Sequence, residues 1–346
     1  IPRFSPSFSL QEAAISAKYV LRPKNDDETV LEFEQRFAKY IGVEHAVMVP
    51  SARYGFYLLL QAMGVGAEDE VIVPALTYFA IPAMVPLLGA KPVFADIGLQ
   101  THVLDPDEFA KAITERTKVV VPTHLFGTPC DMERIVALAK EKGIKVIEDC
   151  AQSTGAKFDG QRVGSLGDAA YYTFGLTKNI TTLSGAMITT NDAEIARSVR
   201  DQIESGGYSP LKKSVREALT GFAMMVATHP KVYWATVHPA VRIGNFLGKD
   251  PIHERFGEAE RRYEQIPAYY HEQGRALGIQ ASVGMKQLDR IEELNGARMV
   301  NGIALDRALQ DVSGLTTPKY PEKSEPIYMS FVVHHKDRKG LEKELR

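Results

Sequence analysis

Lys178 stands in "YYTFGLTKNITTLSGAMITTND" (171–192), between two apolar runs that read as strands, in a polar turn holding no other cation. A lysine amine can form a Schiff base with a carbonyl. Upstream, "EDCAQ" (148–152) closes another apolar run with Asp149 and, three positions later, Gln152. A lysine amine together with a strand-end carboxylate suits pyridoxal phosphate (PLP) chemistry. The lysine links to the cofactor as a Schiff base, and the carboxylate keeps the pyridine nitrogen protonated so that the ring accepts electrons. Taken singly, each residue has a plainer reading: a lysine after a strand is usually solvated, and a strand-end aspartate usually caps a turn. The ordered set of EDxAQ, an aromatic-rich strand and TKN is more specific than either.

The elements that must position these residues alternate from about residue 28 to 200. "TVLEFEQRFAKYIG" reads as a helix closed by Gly42, "AVMV" (46–49) as a strand, and "ARYGFYLLLQAMG" as a helix ending at Gly64. "EVIVPA", "PVFADI", "VVVPTH" and "KVIEDC" read as strands, with helices near 79–88, 107–113 and 132–142 between them. Short Val/Ile-rich strands separated by helices predict an α/β fold with a mostly parallel sheet sandwiched by helices. In such sheets ligands bind beyond the carboxyl ends of the strands. That rule selects "VPSAR" (49–53), "PALTYF" (74–79), "THLFG" (123–127) and "EDCAQ", and Lys178 joins them.

Composition narrows the function classes. The chain has 346 residues, 45% hydrophobic, with 41 basic against 43 acidic side chains and no basic block. It can bury a large core, predicts two domains, and gives no sign of nucleic-acid binding. Cys130 and Cys150 are the only cysteines and supply no disulfide framework, which predicts a reducing, cytoplasmic setting. The opening "IPRFSPSFSL" does not read as a signal peptide, and no apolar run approaches the roughly 20 residues of a membrane span. Neither a P-loop nor a dinucleotide glycine fingerprint is present.

Several motifs in order, "DEVIVPALTYFAIPAMVPLLGAKPVFADI", "HLFGTPCDM", "VIEDCAQSTGAKFDGQRVGSLGDAAYYTF" and "TKN", resemble the DegT/DnrJ/EryC1/StrS family of fold-type I PLP enzymes, mostly sugar aminotransferases. The resemblance runs from about "EFEQRFAKYIGVEHAV" through "GAMITTND" and returns near "QASVGMKQLDRI". It implies that Lys178 carries the cofactor and shuttles the proton during transamination. Asp149 then partners the pyridinium nitrogen, Gln152 lies near the ring hydroxyl, and Tyr78 stacks on the ring. Thr173 takes the place of a phosphate-binding serine, and His124 falls at a motif position expected to be structural. The resemblance further implies an amino donor such as glutamate, a keto-sugar acceptor that is nucleotide- or lipid-linked, and a homodimer. PLP-assisted dehydration is an alternative, although relatives that dehydrate sugars commonly lack the lysine. A non-catalytic regulator on the same fold is another.

Departures from the family pattern are informative. Its small-residue phosphate loop is here "SARY", so that Ser51, Ala52 and Arg53 open a helix whose amides suit a phosphate, with Arg53 either on that phosphate or on a substrate anion. The turn after Lys178 has become "TTLSGAM". Gln273 aligns with a partner-subunit asparagine, two residues before Arg275. These features predict a large PLP-binding domain over 1–204, a helical insertion over 205–250, and a smaller α+β domain over 251–346. Within the insertion Val215, Leu219, Phe222 and Val226 recur at helical spacing beside Lys212, Lys213 and Arg216, with Pro230 and Pro239 expected to break the pattern. The plain reading is a helical pair packed on the chain or on a partner, and the sharper one is a membrane-surface contact. No metal site is expected, and His229 and His238 read as packing or surface residues.

Overall fold

A computed structural model describes residues 6–22, 26–240, 242 and 274–345. Its centre is a seven-stranded sheet in the order β1-β9-β8-β5-β4-β2-β3. The strands are β1 (His45–Val49), β2 (Glu70–Pro74), β3 (Lys91–Ala95), β4 (Thr117–Val120), β5 (Lys145–Asp149), β8 (Ala169–Thr173) and β9 (Ala186–Thr190). β9 pairs antiparallel with both β1 and β8, and the remaining pairs are parallel, so β9 alone runs backwards. The carboxyl ends of β1, β2, β3, β4, β5 and β8 therefore lie together.

The strands read as continuous apolar runs because both faces are covered. Side chains alternate across a strand. Val71, Val73, Ile147, Tyr171 and Ile188 enter the core beneath α3 (Ala52–Ala62) and α7 (Ala193–Glu204). On the opposite face, Met48, Ala170, Tyr172 and Met187 meet Phe33 and Phe37 of α2 (Asp26–Ile41). Ile72, Val120 and Val146 pack there with Phe109 of α5 (Pro106–Ala112) and Ile135 of α6 (Met132–Lys142).

The predicted helix near 79–88 divides into α4 (Ala80–Met84) and a 3-10 turn over Val85–Leu88, with Pro86 at the start of that turn. Beyond α7 come α8 (Leu211–Thr228), α9 (Pro230–Val232), α10 (Gly278–Leu288) and α11 (Ile291–Leu309). Pro230 opens α9, as a proline at the first helical position can. Pro239 does not break the pattern as expected: it sits inside helical turns that follow a π-turn over Tyr233–Val237. Nor does most of the Val215, Leu219, Phe222, Val226 stripe face the body of the chain: Leu219, Phe222 and Val226 are exposed and Val215 is half-buried. The buried residues of α8 are Ser214 and Gly221.

Near the end of the chain β10 (Leu315–Thr316) pairs with β12 (His334–His335). β11 (Ser324–Glu325) joins the hairpin of β6 (Lys157–Phe158) and β7 (Gln161–Arg162), and α12 (Arg338–Leu345) follows. Both cysteines are free and buried.

Candidate active site

Asp149 is the last residue of β5 and is buried. Its backbone is fixed by strand-like bonds to the segment after β4: Asp149 N–H donates to Pro122 O at 2.9 Å, and His124 N–H donates to Asp149 O at 3.0 Å. One carboxylate oxygen accepts the Ala151 N–H at 2.9 Å. The other receives a long contact, 3.5 Å, from the Thr123 hydroxyl, which is itself 3.1 Å from that of Thr77. The buried Tyr171 hydroxyl sits beside this carboxylate without a well-formed hydrogen bond. Burial pushes the Asp149 carboxyl above its ordinary value, opposed by the Ala151 amide, Tyr171, Lys178 and His124.

Lys178 lies in the turn after β8, half-buried. Burial lowers its pKa from the ordinary lysine value, and the Asp149 charge opposes that fall. Each of the two residues thus acts on the other's charge. The turn itself is held tightly. Lys178 N–H donates to Gly175 O at 3.0 Å, and Thr181 and Thr182 both donate to Phe174 O. The next residue, Asn179, is fully buried and donates to Thr154 O at 2.7 Å, tying the lysine's turn to the loop after Asp149.

Behind Asp149, a second carboxylate went unweighed in the sequence. Glu148 is wholly buried and faces away from Asp149, as alternation along β5 requires. One of its oxygens accepts the N–H groups of Leu166 and Gly167, both at 2.7 Å. The other accepts Gly164 N–H at 2.8 Å and His124 Nε2 at 2.9 Å. His124 Nδ1 accepts the Cys130 N–H at 3.0 Å, so the proton directed at Glu148 is on Nε2. Gly164 has φ +91, and a Cβ there would collide with the Tyr172 hydroxyl, so the loop can close on Glu148 only with glycine at this position. His124, Glu148 and Cys150 lie close enough together to suggest a metal site. Every histidine nitrogen and carboxylate oxygen of this group is already engaged in hydrogen bonds, so it reads as a scaffold. The expectation that His124 is structural accords with these bonds, and a buried "ED" pair was the signal that could have revealed Glu148.

The remaining candidates sit at the same end of the sheet. Ser51 caps α3, its hydroxyl accepting the Tyr54 N–H at 3.3 Å. The first-turn amides of Ala52 and Arg53 thus lie where a helix N-terminus attracts an anion. Arg53 and Thr173 are half-buried, and Tyr78 exposes its ring beside Phe79. Gln152 accepts the Phe126 N–H at 3.1 Å through its side-chain oxygen, so its amide is braced by the turn over Leu125–Gly127. Arg275 is not with this group: its guanidinium meets Asp27, Glu204 O and the Tyr208 ring. Gln273 lies outside the described residues. A lysine of lowered pKa, a buried carboxylate beside it, a helix N-terminus and an exposed aromatic ring fit an anionic pyridine cofactor such as PLP.

Comparison with known proteins follows the same line. The family model described as "DegT/DnrJ/EryC1/StrS aminotransferase family" matches residues 22–228. GDP-perosamine synthase of Caulobacter vibrioides is 45% identical over 171 residues, covering 49% of this chain and 46% of its own. The dTDP-3-amino-3,4,6-trideoxy-alpha-D-glucose transaminase of Micromonospora megalomicea is 31% identical, covering 92% of this chain and 72% of its own. Among solved structures, DesV of S. venezuelae, crystallised with a ketimine intermediate, superposes with a TM-score of 0.73 at 25% identity, over 97% of this chain and 76% of that one. The chain spans about half the length of several curated relatives it matches.

Proposed function

The chain belongs to the DegT/DnrJ/EryC1/StrS aminotransferase family, and from that premise we propose that it is a PLP-dependent aminotransferase moving an amino group from an amino acid, glutamate in the first instance, to a keto-sugar. The observation that carries this reading is the pairing of a half-buried lysine of lowered pKa with a buried strand-end carboxylate. When bound, PLP supplies an electron sink that lets a proton leave a carbon next to nitrogen.

This chain's residues do the rest. Lys178 would hold the cofactor covalently, and its amine, when free, would take up and return a proton; a lowered pKa favours that free amine. Asp149 would keep a proton on the pyridine nitrogen, and its position at the end of β5 is set by the Pro122 and His124 backbone bonds. Gln152 would stand by the ring hydroxyl and Tyr78 would cover one ring face. Thr173, Ser51 and the Ala52 and Arg53 amides receive the phosphate, with the Arg53 guanidinium added to them. Gln273 and Arg275 serve the site of a partner subunit in a homodimer, which accords with Arg275 standing apart from its own chain's Lys178 group. Relatives named for GDP- and dTDP-sugars support a sugar acceptor.

The reading is tested by loading the purified protein with PLP and adding glutamate without acceptor. One equivalent of 2-oxoglutarate per site, with loss of the visible cofactor band, is the expected result. Stable absorption and no release of the corresponding keto acid from any amino acid would remove the proposal.

A further inference from the structure

Most of the apolar stripe of α8 is exposed, with Val215 half-buried, while the buried residues are the small Ser214 and Gly221, flanked by the partly buried Ala218 and Met224. Each helical residue advances about 100°. Measured from buried Ser214, Leu211, Phe222, Val215, Val226 and Leu219 fall at about 60°, 80°, 100°, 120° and 140°. Leu219 is 66% exposed, Phe222 43%, Val226 41% and Leu211 38%. Lys212 and Arg216 follow at about 160° and 200°, along one flank of the stripe. The inward face is small for a visible reason. A Cβ at Gly221 would stand 3.1 Å from both Phe8 and Leu176, so α8 lies close over the segment two residues before Lys178.

The charge around the stripe has one sign. Residues 211–240 contain Lys212, Lys213, Arg216 and Lys231 against a single acid, Glu217, which pairs with Arg216 at 3.3 Å. Trp234, the only tryptophan in the chain, is 66% exposed on the helical turns that follow. No described helix is long and apolar enough to cross a membrane.

We propose that α8 docks on the surface of an anionic lipid bilayer, its Leu211, Val215, Leu219, Phe222 and Val226 stripe in the acyl boundary and its cations among the headgroups. An interfacial helix has this layout: an apolar stripe, a flank of lysine and arginine, and an aromatic residue that favours the headgroup level. A second copy of the chain is a poorer occupant. In an antiparallel two-fold pairing of α8 each copy's cationic flank would lie against the other's, whereas anionic headgroups attract every one of those charges. The docking stands or falls without reference to the reaction.

The test is co-sedimentation of the whole protein with vesicles of phosphatidylcholine containing a quarter phosphatidylglycerol, and with pure phosphatidylcholine. Binding to the anionic vesicles is expected, weakened by added salt and at least about tenfold weaker to the neutral ones. Leu219→Glu/Phe222→Glu should weaken binding by at least about tenfold, at an unchanged melting temperature. Lys212→Ala/Arg216→Ala, which leaves the apolar stripe intact, should lose roughly tenfold or more on anionic vesicles alone. Failure of the wild-type chain to sediment with anionic vesicles overturns the proposal, and so does equal binding by the Leu219→Glu/Phe222→Glu variant. A dimer seen by light scattering that this variant abolishes, with no vesicle binding by either protein, would assign the face to a second copy instead.

Discussion

Glu148→Gln should cost far more stability than a change of one atom suggests. The carboxylate accepts four donors, two on each oxygen: Leu166 and Gly167 N–H on one, Gly164 N–H and His124 Nε2 on the other. Glutamine retains one acceptor oxygen, so whichever way its amide turns, an NH2 group faces two buried donors. His124 cannot adapt by moving its proton to Nδ1, because that nitrogen already accepts the Cys130 N–H. Two hydrogen bonds to a charged group are lost, at about 1.5–3 kcal/mol each. Relief from burying a charge offsets part of the resulting loss, roughly 3–6 kcal/mol, and leaves about 3 kcal/mol. Against total stabilities of about 5–15 kcal/mol that is a large fraction. Urea unfolding of the cofactor-free protein measures it as a lower midpoint at unchanged slope. A change below about 1 kcal/mol would show that the loop 164–167 does not depend on this carboxylate.

Asp149→Asn should retain PLP but lose most of its turnover in the chemical step, read as a fall in kcat at unchanged donor KM; wild-type kinetics would reduce Asp149 to a turn cap. The rate of PLP capture by the cofactor-free protein should rise with pH through a midpoint below 10.5, since burial lowers the Lys178 pKa and only the free amine attacks. The same midpoint should move lower still in Asp149→Asn, which removes the charge opposing that fall; a midpoint at or above 10.5 in wild type contradicts the sign. Arg53→Ala should weaken PLP affinity by about ten- to a hundredfold with little change in acceptor KM at saturating PLP. Unchanged PLP affinity with a raised acceptor KM would move Arg53 to the substrate.

Much of the sheet was legible because its strands are covered on both faces, which leaves unbroken apolar runs such as "VIV" between helices of ordinary length. Helix α6 matched its expected bounds because Asp131 caps its start and Gly143 its end. The helical periodicity of α8 was equally plain, but its direction was not. A stripe of Val, Leu and Phe normally marks the buried face, and the choice of Gly221 and Ser214 instead is set by the closeness of Phe8 and Leu176, contacts distant in sequence. Pro239 misled for a related reason: the preceding π-turn lets helical turns continue through it. Lys178 and Asp149 could be paired from sequence because strand ends gather ligands. For Glu148 the "ED" pair was the one sequence signal, and its four donors stayed hidden because they come from a loop and a turn that meet only when β4, β5 and β8 align.

The central claim, that Lys178 carries the cofactor, is tested most directly by reducing the PLP-loaded protein with borohydride and mapping the modified peptide by mass spectrometry. A single phosphopyridoxyl group on Lys178, and none on the Lys178→Ala protein, is expected. Modification at another lysine in the wild-type chain, or the same labelled peptide from Lys178→Ala, would contradict it.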